Sequence, residues 1–249
     1  MTDPVIMIPG LMCDARAFLP QVLHLGRDRL VTIALPILGS TVEAMAQAIL
    51  GAAPAKFALV GMGLGGEVAL EMLRRGGDRI SRVALISTDP LSETPQHAAS
   101  REARMVTARA GRLPQALAEE IPEGALADGP LRAKVRRQLI DMWHSLGTEV
   151  YLQQSRALQR RPDHQRTLRG MKVPALIIAG AQDTLTPVRR QEFAAGLMPF
   201  ARVEVIAGAG HLPPMEAPEA VSKALEQFLQ GPMQLQGALP KKEPPLLLR

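Results

Sequence analysis

Residues 57–73 read FALV-GMGLGG-EVALEML, an apolar segment, a glycine-rich turn and a segment with helical periodicity. A strand, a sharp turn and a helix in this order are typical of a nucleophile elbow, G-x-S-x-G, whose apex residue carries the attacking side chain. The glycines fit this interpretation because so tight a turn excludes larger side chains at its flanks. The apex here is Gly63, which has no side chain. The segment therefore predicts the backbone of an elbow without its nucleophile.

The glycine-rich residues 61–66 also allow other interpretations. They match the dinucleotide-binding fingerprint G-x-G-x-x-G, and Asp89 follows Gly66 by 23 residues, close to the spacing expected of a ribose-binding acid. A phosphate-binding loop of the Walker type is excluded because no Lys-Ser/Thr pair follows. The turn could also pack a helix against a strand and carry no chemistry. These six residues alone leave the choice open.

Two later segments place an acid and a histidine after predicted strands. Residues 174–180 form a buried-type strand pattern followed by Asp183, and residues 203–206 form another before the glycine-rich loop that carries His211. The order apex, Asp, His is that of the catalytic triads found with G-x-S-x-G elbows. Taken singly, Asp183 is typical of a turn and His211 of a loop. Their joint placement after strands favours the elbow interpretation.

The first predicted strand also leads into a glycine-containing loop, Pro9-Gly10-Leu11. In this architecture such a loop supplies one backbone N–H group of an oxyanion hole, and the residue after the nucleophile supplies the second. The predicted donors are therefore Leu11 and Leu64. Because these donors belong to the backbone, apolar side chains at both positions are compatible with the role.

Three sequence segments resemble those of one protein family: IPGLMCD at residues 8–14, VALE at 68–71 and GHLPPMEAPE at 210–219. They are similar to the α/β-hydrolase superfamily, close to its small carboxylesterase-like proteins, and the resemblance covers residues 4 to about 230. In that family the residue matching Gly63 is serine, the residue matching Asp183 is the triad acid, and the residue matching His211 is the general base. The resemblance implies an ester (acyl) hydrolase, and the glycine at position 63 predicts that this chain is catalytically impaired.

Three functions stay open for a site of this kind. The first is an ester hydrolase that lacks its nucleophile, and the second is a natural pseudo-hydrolase that binds a small molecule or a protein. The third is a non-hydrolytic enzyme that uses His211 as a base. The retained Asp183 and His211 weigh against the pseudo-hydrolase, because a site free of catalytic selection need not keep them. The resemblance implies a small-molecule ester or thioester substrate, with no cofactor and no metal.

Strand patterns alternate with helical patterns along most of the chain. This alternation predicts a mostly parallel sheet covered by helices on both faces, with ligands at the carboxyl ends of its strands. The family resemblance implies that the arrangement is an α/β-hydrolase fold with an inserted helical cap. The predicted core comprises residues 1–89 and 171–231, and the proline-rich residues 232–249 are predicted to form an extended or disordered tail. The strand patterns lie at residues 5–9, 29–35, 56–61, 82–88, 174–180 and 202–207.

Residues 90–170 interrupt the alternation with several helical stretches and little strand pattern. We predict that they form a helical cap over Gly63, which excludes water and shapes the substrate pocket. The candidate substrate-binding residues of the cap are Met105, Leu139, Met142 and Trp143. For each of them, ordinary packing within the cap is the alternative.

Composition excludes several other classes. The net charge is +5, but aromatic residues make up only 3% and no Lys/Arg-rich run occurs, which argues against a nucleic-acid partner. The single cysteine, Cys13, excludes an intramolecular disulfide, and the family resemblance makes it a packing residue of its loop. We find no signal-peptide pattern and no apolar run of about 18 residues, and therefore expect a cytoplasmic protein without a membrane segment. The oligomeric state is not readable from the sequence.

Overall fold

The computed structural model describes residues 2–231, so the predicted tail lies outside the described residues. Its centre is a six-stranded parallel sheet with the strand order β2-β1-β3-β4-β5-β6. The predicted α/β-hydrolase fold is confirmed. The strands are β1 (Val5–Ile8), β2 (Val31–Ile33), β3 (Phe57–Met62), β4 (Ile80–Ile86), β5 (Ala175–Gly180) and β6 (Ala201–Ile206).

Helices cover both faces of this sheet. Alternate residues of β1 point into two separate cores, Val5 and Met7 into one and Ile6 and Ile8 into the other, because successive side chains of a strand point to opposite faces. The helices are α1 (Leu19–Leu25), α2 (Val42–Ala52), α3 (Leu64–Gly76), α4 (Pro95–Arg109), α5 (Leu113–Glu120), α6 (Arg132–Gln159), α7 (Gln165–Arg169), α8 (Val188–Leu197), α9 (Pro213–Glu216) and α10 (Pro218–Gln230).

The register of the central strands brings their carboxyl ends to one level. Ile8 lies opposite Gly61, Met62 lies opposite Ile86, and Ile86 lies opposite Ile178. β3, β4 and β5 are buried along their whole length, as expected for strands covered on both faces. The loops after β1, β3, β4 and β5 therefore meet at one edge of the sheet.

The helices α4–α7 form an insertion between β4 and β5, and we call residues 90–170 the helical insertion. Its longest helix, α6, is broken at Gly147, where φ is 77° and ψ is 177°. Beyond this break the buried Gln154 ties the insertion to the sheet loops: its side-chain oxygen accepts a hydrogen bond from the backbone N–H of Met12, and its amide nitrogen donates to the carbonyl oxygen of Pro36. Among residues 2–231, no helix is both long enough and apolar enough to span a membrane.

Candidate functional site

The turn between β3 and α3 has the backbone of a nucleophile elbow. Gly63 has φ of 51° and ψ of −118°, a conformation that side-chain-bearing residues rarely adopt. Its flanking glycines are required by close packing: a Cβ atom on Gly65 would lie 2.0 Å from the carbonyl oxygen of Ile8, and one on Gly66 would lie 1.9 Å from Thr88 Oγ1. A Cβ atom on Gly63 would meet only the Cα atom of Gly10, at 3.8 Å. The apex therefore has space for a side chain that it does not carry.

Asp183 and His211 form a hydrogen-bonded pair beside this turn. The Nδ1 atom of His211 lies 3.0 Å from Oδ2 and 3.2 Å from Oδ1 of Asp183. The buried carboxylate also accepts hydrogen bonds from Leu185 N, Thr186 N and Thr186 Oγ1. Burial alone would raise the pKa of Asp183, but the hydrogen bonds from His211 and Thr186 hold this pKa well below its ordinary value. An ionised Asp183 favours the imidazole tautomer with its proton on Nδ1, which leaves Nε2 able to accept a proton.

Asp89, the acid that the dinucleotide interpretation needs, is engaged elsewhere. Its carboxylate lies 3.9 Å from Arg161 Nη2 and 3.7 Å from Arg190 Nη1. The histidine of the site pairs with Asp183, which follows the next strand along the sheet.

A buried glutamate holds the loop of His211, and the sequence analysis did not single it out. The carboxylate of Glu216 accepts hydrogen bonds from the backbone N–H groups of Gly210 and Leu212, at 3.0 and 2.7 Å, and from that of Ala127, at 2.6 Å. Gly210 and Leu212 are the residues on either side of His211. The sequence signal for Glu216 lies in the segment GHLPPMEAPE, where an acidic residue occurs within an apolar stretch shortly after the histidine.

The two predicted oxyanion donors, Leu11 and Leu64, both line the same cavity as Gly63 and His211. Leu64 is the first residue of α3, so its N–H group has no partner within the helix. Within residues 2–231, neither backbone N–H donates to another protein group. Both donors are therefore able to bind an oxygen of a ligand, and their catalytic role stays a prediction.

The cavity has a volume of about 340 Å³ and a largely polar wall on the side of the helical insertion. The predicted substrate-binding residues Met105, Leu139, Met142 and Trp143 do not line it. They are buried in the apolar core that the insertion shares with the sheet, because these apolar side chains pack against one another and away from water. We therefore correct the predicted lining. The insertion contributes charged and polar lining residues instead, including Glu93, His97, Arg101, Arg104, Glu120 and Arg161.

Buried ion pairs organise this polar wall. The guanidinium of Arg101 donates to Glu93 at 2.8 and 3.0 Å and also bonds Glu120. Glu120 in turn accepts a hydrogen bond from Arg104 Nε at 2.6 Å. Only 8% of the Arg101 side chain is exposed, so the network joins α4 to α5 in a region of low dielectric constant. The wall is therefore preorganised, with charges of both signs.

Cys13 also lines the cavity, but it is not a substitute nucleophile. Its thiol is buried, and burial raises its pKa to about 12, with a smaller contribution from Asp14. The attacking form of cysteine is the thiolate, which such a pKa disfavours at neutral pH. Across the part of the chain that the structure describes, no three His, Cys, Asp or Glu side chains converge as a metal-binding group.

The sequence pattern that defines the alpha/beta hydrolase family matches residues 5–224. The chain belongs to this family. Members of the alpha/beta hydrolase family with known activity include esterases similar to this chain, which identifies the site at the strand ends as a candidate hydrolase site.

Three similar proteins illustrate the relationship. The biotin biosynthesis bifunctional protein BioHC of Teredinibacter turnerae is 30% identical over 91% of this chain, and the chain spans only 44% of that protein's length. A pimeloyl-[acyl-carrier protein] methyl ester esterase of Aromatoleum aromaticum is 28% identical over 79% of this chain and 83% of its own. A thermophilic esterase from Thermogutta terrifontis of known structure is 27% identical to this chain in sequence. Its structure matches with a TM-score of 0.82 over 91% of this chain and 89% of the esterase chain.

Proposed function

We propose that this site is an ester (acyl) hydrolase site of the Ser-Asp-His type that lacks its nucleophile at Gly63. The observation that carries the proposal is the hydrogen-bonded pair of His211 and Asp183, at 3.0 Å, in a cavity shared with an unfilled elbow apex. Esterases among the similar proteins support the same chemistry. At the elbow apex, Gly63 offers no group for covalent attack on an acyl carbon.

The remaining groups have defined roles in a chain that carries serine at position 63. Nε2 of His211 takes the proton of the serine hydroxyl as it attacks and then delivers it to the leaving alcohol. Asp183 holds the imidazole in the required tautomer and stabilises the imidazolium that forms. The N–H groups of Leu11 and Leu64 stabilise the oxyanion of the tetrahedral intermediate. Leu11, Leu64 and His211 all line the cavity that Gly63 lines.

The substrate class that we propose is a small-molecule ester or thioester. The relatives named as methyl ester esterases support an ester with a small alcohol portion. A cavity of about 340 Å³ lies at the lower end of the range for small-molecule sites. This size favours a short acyl group over a long lipid chain.

A second candidate is direct base catalysis by His211 on a bound ligand or water. It is favoured by the space at the Gly63 apex, where a Cβ atom would meet only the Cα atom of Gly10. A water molecule in this space would stand where the serine hydroxyl otherwise lies and could lose its proton to Nε2 of His211. Such a reaction forms no acyl-enzyme intermediate. A pseudo-hydrolase that only binds its ligand is the remaining possibility.

Gly63→Ser tests the proposal directly. We expect the variant to hydrolyse p-nitrophenyl acetate or butyrate much faster than the Gly63 chain, by a factor on the order of 10³–10⁶, because the loss of a triad nucleophile has a cost of up to that size. The matched control is the double variant Gly63→Ser/His211→Asn, which carries the hydroxyl without its base. A folded Gly63→Ser protein no faster than this control on several acyl lengths would favour the pseudo-hydrolase. Hydrolysis by the Gly63 chain that is abolished by His211→Asn would favour direct base catalysis.

A further inference from the structure

Two buried polar side chains at the cavity have no role in the proposed triad. Glu67 is 2% exposed and Ser87 is 1% exposed, and both line the cavity. For residues 2–231, Oγ of Ser87 has no hydrogen-bond partner, and neither has Oε2 of Glu67, which lies 3.9 Å from the equally unpartnered Nε2 of His164. Buried polar atoms without partners are rare and costly in folded proteins, and each calls for an explanation. A ligand that supplies the missing partners is one.

Their backbone positions bring the two side chains to the same region. Glu67 lies in the first turn of α3, and Ser87 directly follows β4. The close approach of Gly66 to Thr88 packs this helical turn against the end of β4. Ser87 has φ of 46°, an unfavourable conformation for a residue with a side chain, and conformations of this kind concentrate at functional sites.

Arg161 completes the cluster from the helical insertion. Its side chain is 9% exposed and lines the cavity, and its Nε atom donates to the carbonyl oxygen of Leu91 at 2.7 Å. The nearest carboxylate oxygens, of Glu93, Asp89 and Glu67, lie 3.6, 3.9 and 4.0 Å away, beyond hydrogen-bond distance. Toward the part of the chain that the structure describes, the terminal guanidinium nitrogens of Arg161 make a single long hydrogen bond, at 3.4 Å, to the carbonyl oxygen of Leu158. Arg161 therefore keeps donors for a further acceptor.

Two of the carboxylates around Arg161 have a second cation beside them. The negative charge of Glu93 is neutralised by its two hydrogen bonds from Arg101, and Asp89 is shared between Arg161 and Arg190. Among residues 2–231, the guanidinium of Arg161 therefore has carboxylates within 4.0 Å but donates no hydrogen bond to any of them.

Glu67 itself is a hydrogen-bond donor when it is protonated. Burial raises its pKa well above the ordinary value, and this effect outweighs the lowering by Arg161; Asp89, Glu93 and Asp163 raise it further. The neighbouring His164, whose Nε2 lies 3.9 Å from Glu67 Oε2, has a pKa lowered chiefly by burial. Burial therefore shifts the pKa of each group in the direction that favours its neutral form.

We propose that Arg161, Glu67 and Ser87 form a subsite that binds the free carboxylate of a substrate. Arg161 supplies the positive charge, and the acid of Glu67 and the hydroxyl of Ser87 donate hydrogen bonds to the carboxylate oxygens. The inference rests on the proposed function and specifies its substrate: an ester or thioester whose acyl chain ends in a second, unesterified carboxyl group. Binding is linked to a proton, because ionised Glu67 repels the carboxylate that its protonated form binds.

Binding to the Gly63 chain itself tests the subsite by titration calorimetry. The probes are monomethyl glutarate and its uncharged monoamide, methyl 4-carbamoylbutanoate. We expect the acid to bind more tightly than the amide by a factor of about 10 or more, as a charge-assisted hydrogen bond predicts. Arg161→Gln should weaken binding of the acid about 10- to 100-fold and leave the amide nearly unaffected. The matched control is Arg160→Gln, because Arg160 is the adjacent arginine and is exposed.

The pH dependence separates this subsite from a surface charge effect. The affinity for the acid should fall as pH rises through the pKa of Glu67, and Glu67→Gln, which keeps a donor and cannot ionise, should abolish that fall. Ser87→Ala should weaken binding of the acid at every pH. Thermal melting identifies variants that do not fold; if Arg161→Gln is one of them, Arg161→Lys replaces it and should retain only part of the affinity.

Three results overturn the subsite: no binding of the acid, equal binding of acid and amide, or a pH-dependent fall that persists in Glu67→Gln. The proposed function fails independently. If Gly63→Ser hydrolyses methyl pentanoate and monomethyl glutarate with equal kcat/KM, the subsite is refuted and the hydrolase stands. If the acid binds as expected while Gly63→Ser hydrolyses neither ester, the hydrolase is refuted and the subsite stands.

Discussion

Asp183 and His211 follow neighbouring strands, β5 and β6, and meet with Nδ1 of His211 3.0 Å from Oδ2 of Asp183. The pKa of the buried Asp183 lies below its ordinary value. A carboxyl group whose pKa is lower in the folded than in the unfolded chain contributes stability above its unfolded pKa, about 3.9. That contribution is lost as pH falls through the folded pKa. Asp183→Asn should therefore be less stable than the original chain at pH 7, with a difference that shrinks as the solution is acidified below about pH 4.

Urea unfolding of both chains between neutral and acidic pH measures this effect. Asp128→Asn is the control, because 92% of the Asp128 side chain is exposed and little pH-dependent stability is expected from it. A difference between Asp183→Asn and the original chain that stays constant on acidification would mean that the carboxylate is not stabilised by ionisation.

The chain with Gly63 should have a higher free energy of unfolding than any variant that carries a side chain at this position. Its φ of 51° and ψ of −118° strain such residues by about 1–3 kcal/mol, whereas space is not limiting, since the nearest atom to an added Cβ is 3.8 Å away. Gly63→Ala and Gly63→Ser should therefore both lower the free energy of unfolding by similar amounts. Gly196→Ala, in the last turn of α8 with no atom within 4 Å of an added Cβ, should instead raise it, by up to about 0.5–1 kcal/mol. A stabilising Gly63→Ala would contradict the strain argument.

Glu216→Ala should be strongly destabilising. Three backbone N–H groups, of Gly210, Leu212 and Ala127, lose a charged acceptor at once, and we expect a loss of about 3 kcal/mol or more. Glu219→Ala, in the exposed first turn of α10, provides the comparison and should change stability by less than about 0.5 kcal/mol. Equal effects of the two substitutions in urea unfolding would show that the Glu216 contacts contribute little.

Arg101→Gln should also be costly, because it leaves Glu93 and Glu120 without their shared partner. Removing one member of a buried ion pair typically lowers stability by about 3–5 kcal/mol. Arg109→Gln breaks an exposed pair with Glu102, at 3.4 Å, and should cost about 0–1 kcal/mol. Circular dichroism melts of the two variants check the contrast. A small effect of Arg101→Gln would mean that water or another cation replaces the guanidinium.

The parts of the site that the sequence predicts are those set by local pattern. Gly63 was recognisable because an apolar strand and a periodic helix flank it closely, and Asp183 and His211 because each follows a strand pattern. Met142 and Trp143 were candidates as apolar residues of the predicted cap, but a helical pattern carries no information on whether such side chains face a cavity or a neighbouring helix.

The charged wall of the cavity was not predictable for a related reason. An arginine such as Arg101 or Arg161 is usually solvent-exposed, and only the fold reveals which acids lie beside it. Glu67 stands in a helical segment where an acid on the solvent side is common, so neither its burial nor its missing partner could be inferred from spacing. Long-range pairing, rather than the identity of the residue, decides what these side chains do.

The hydrogen bonds of Glu216 affect where segments can be exchanged between this chain and other family members in engineered chimeras. Ala127 belongs to the helical insertion and is 89 positions from Glu216 in the sequence. Its N–H nevertheless donates to the same carboxylate as the N–H groups of Gly210 and Leu212. A chimera that replaces the whole insertion with that of another family member would cut through this shared contact, whereas one that keeps residues 125–127 with their own histidine loop would not. Chimera junctions that keep the Glu216 contacts therefore lie inside the insertion, and not at the ends of β4 and β5.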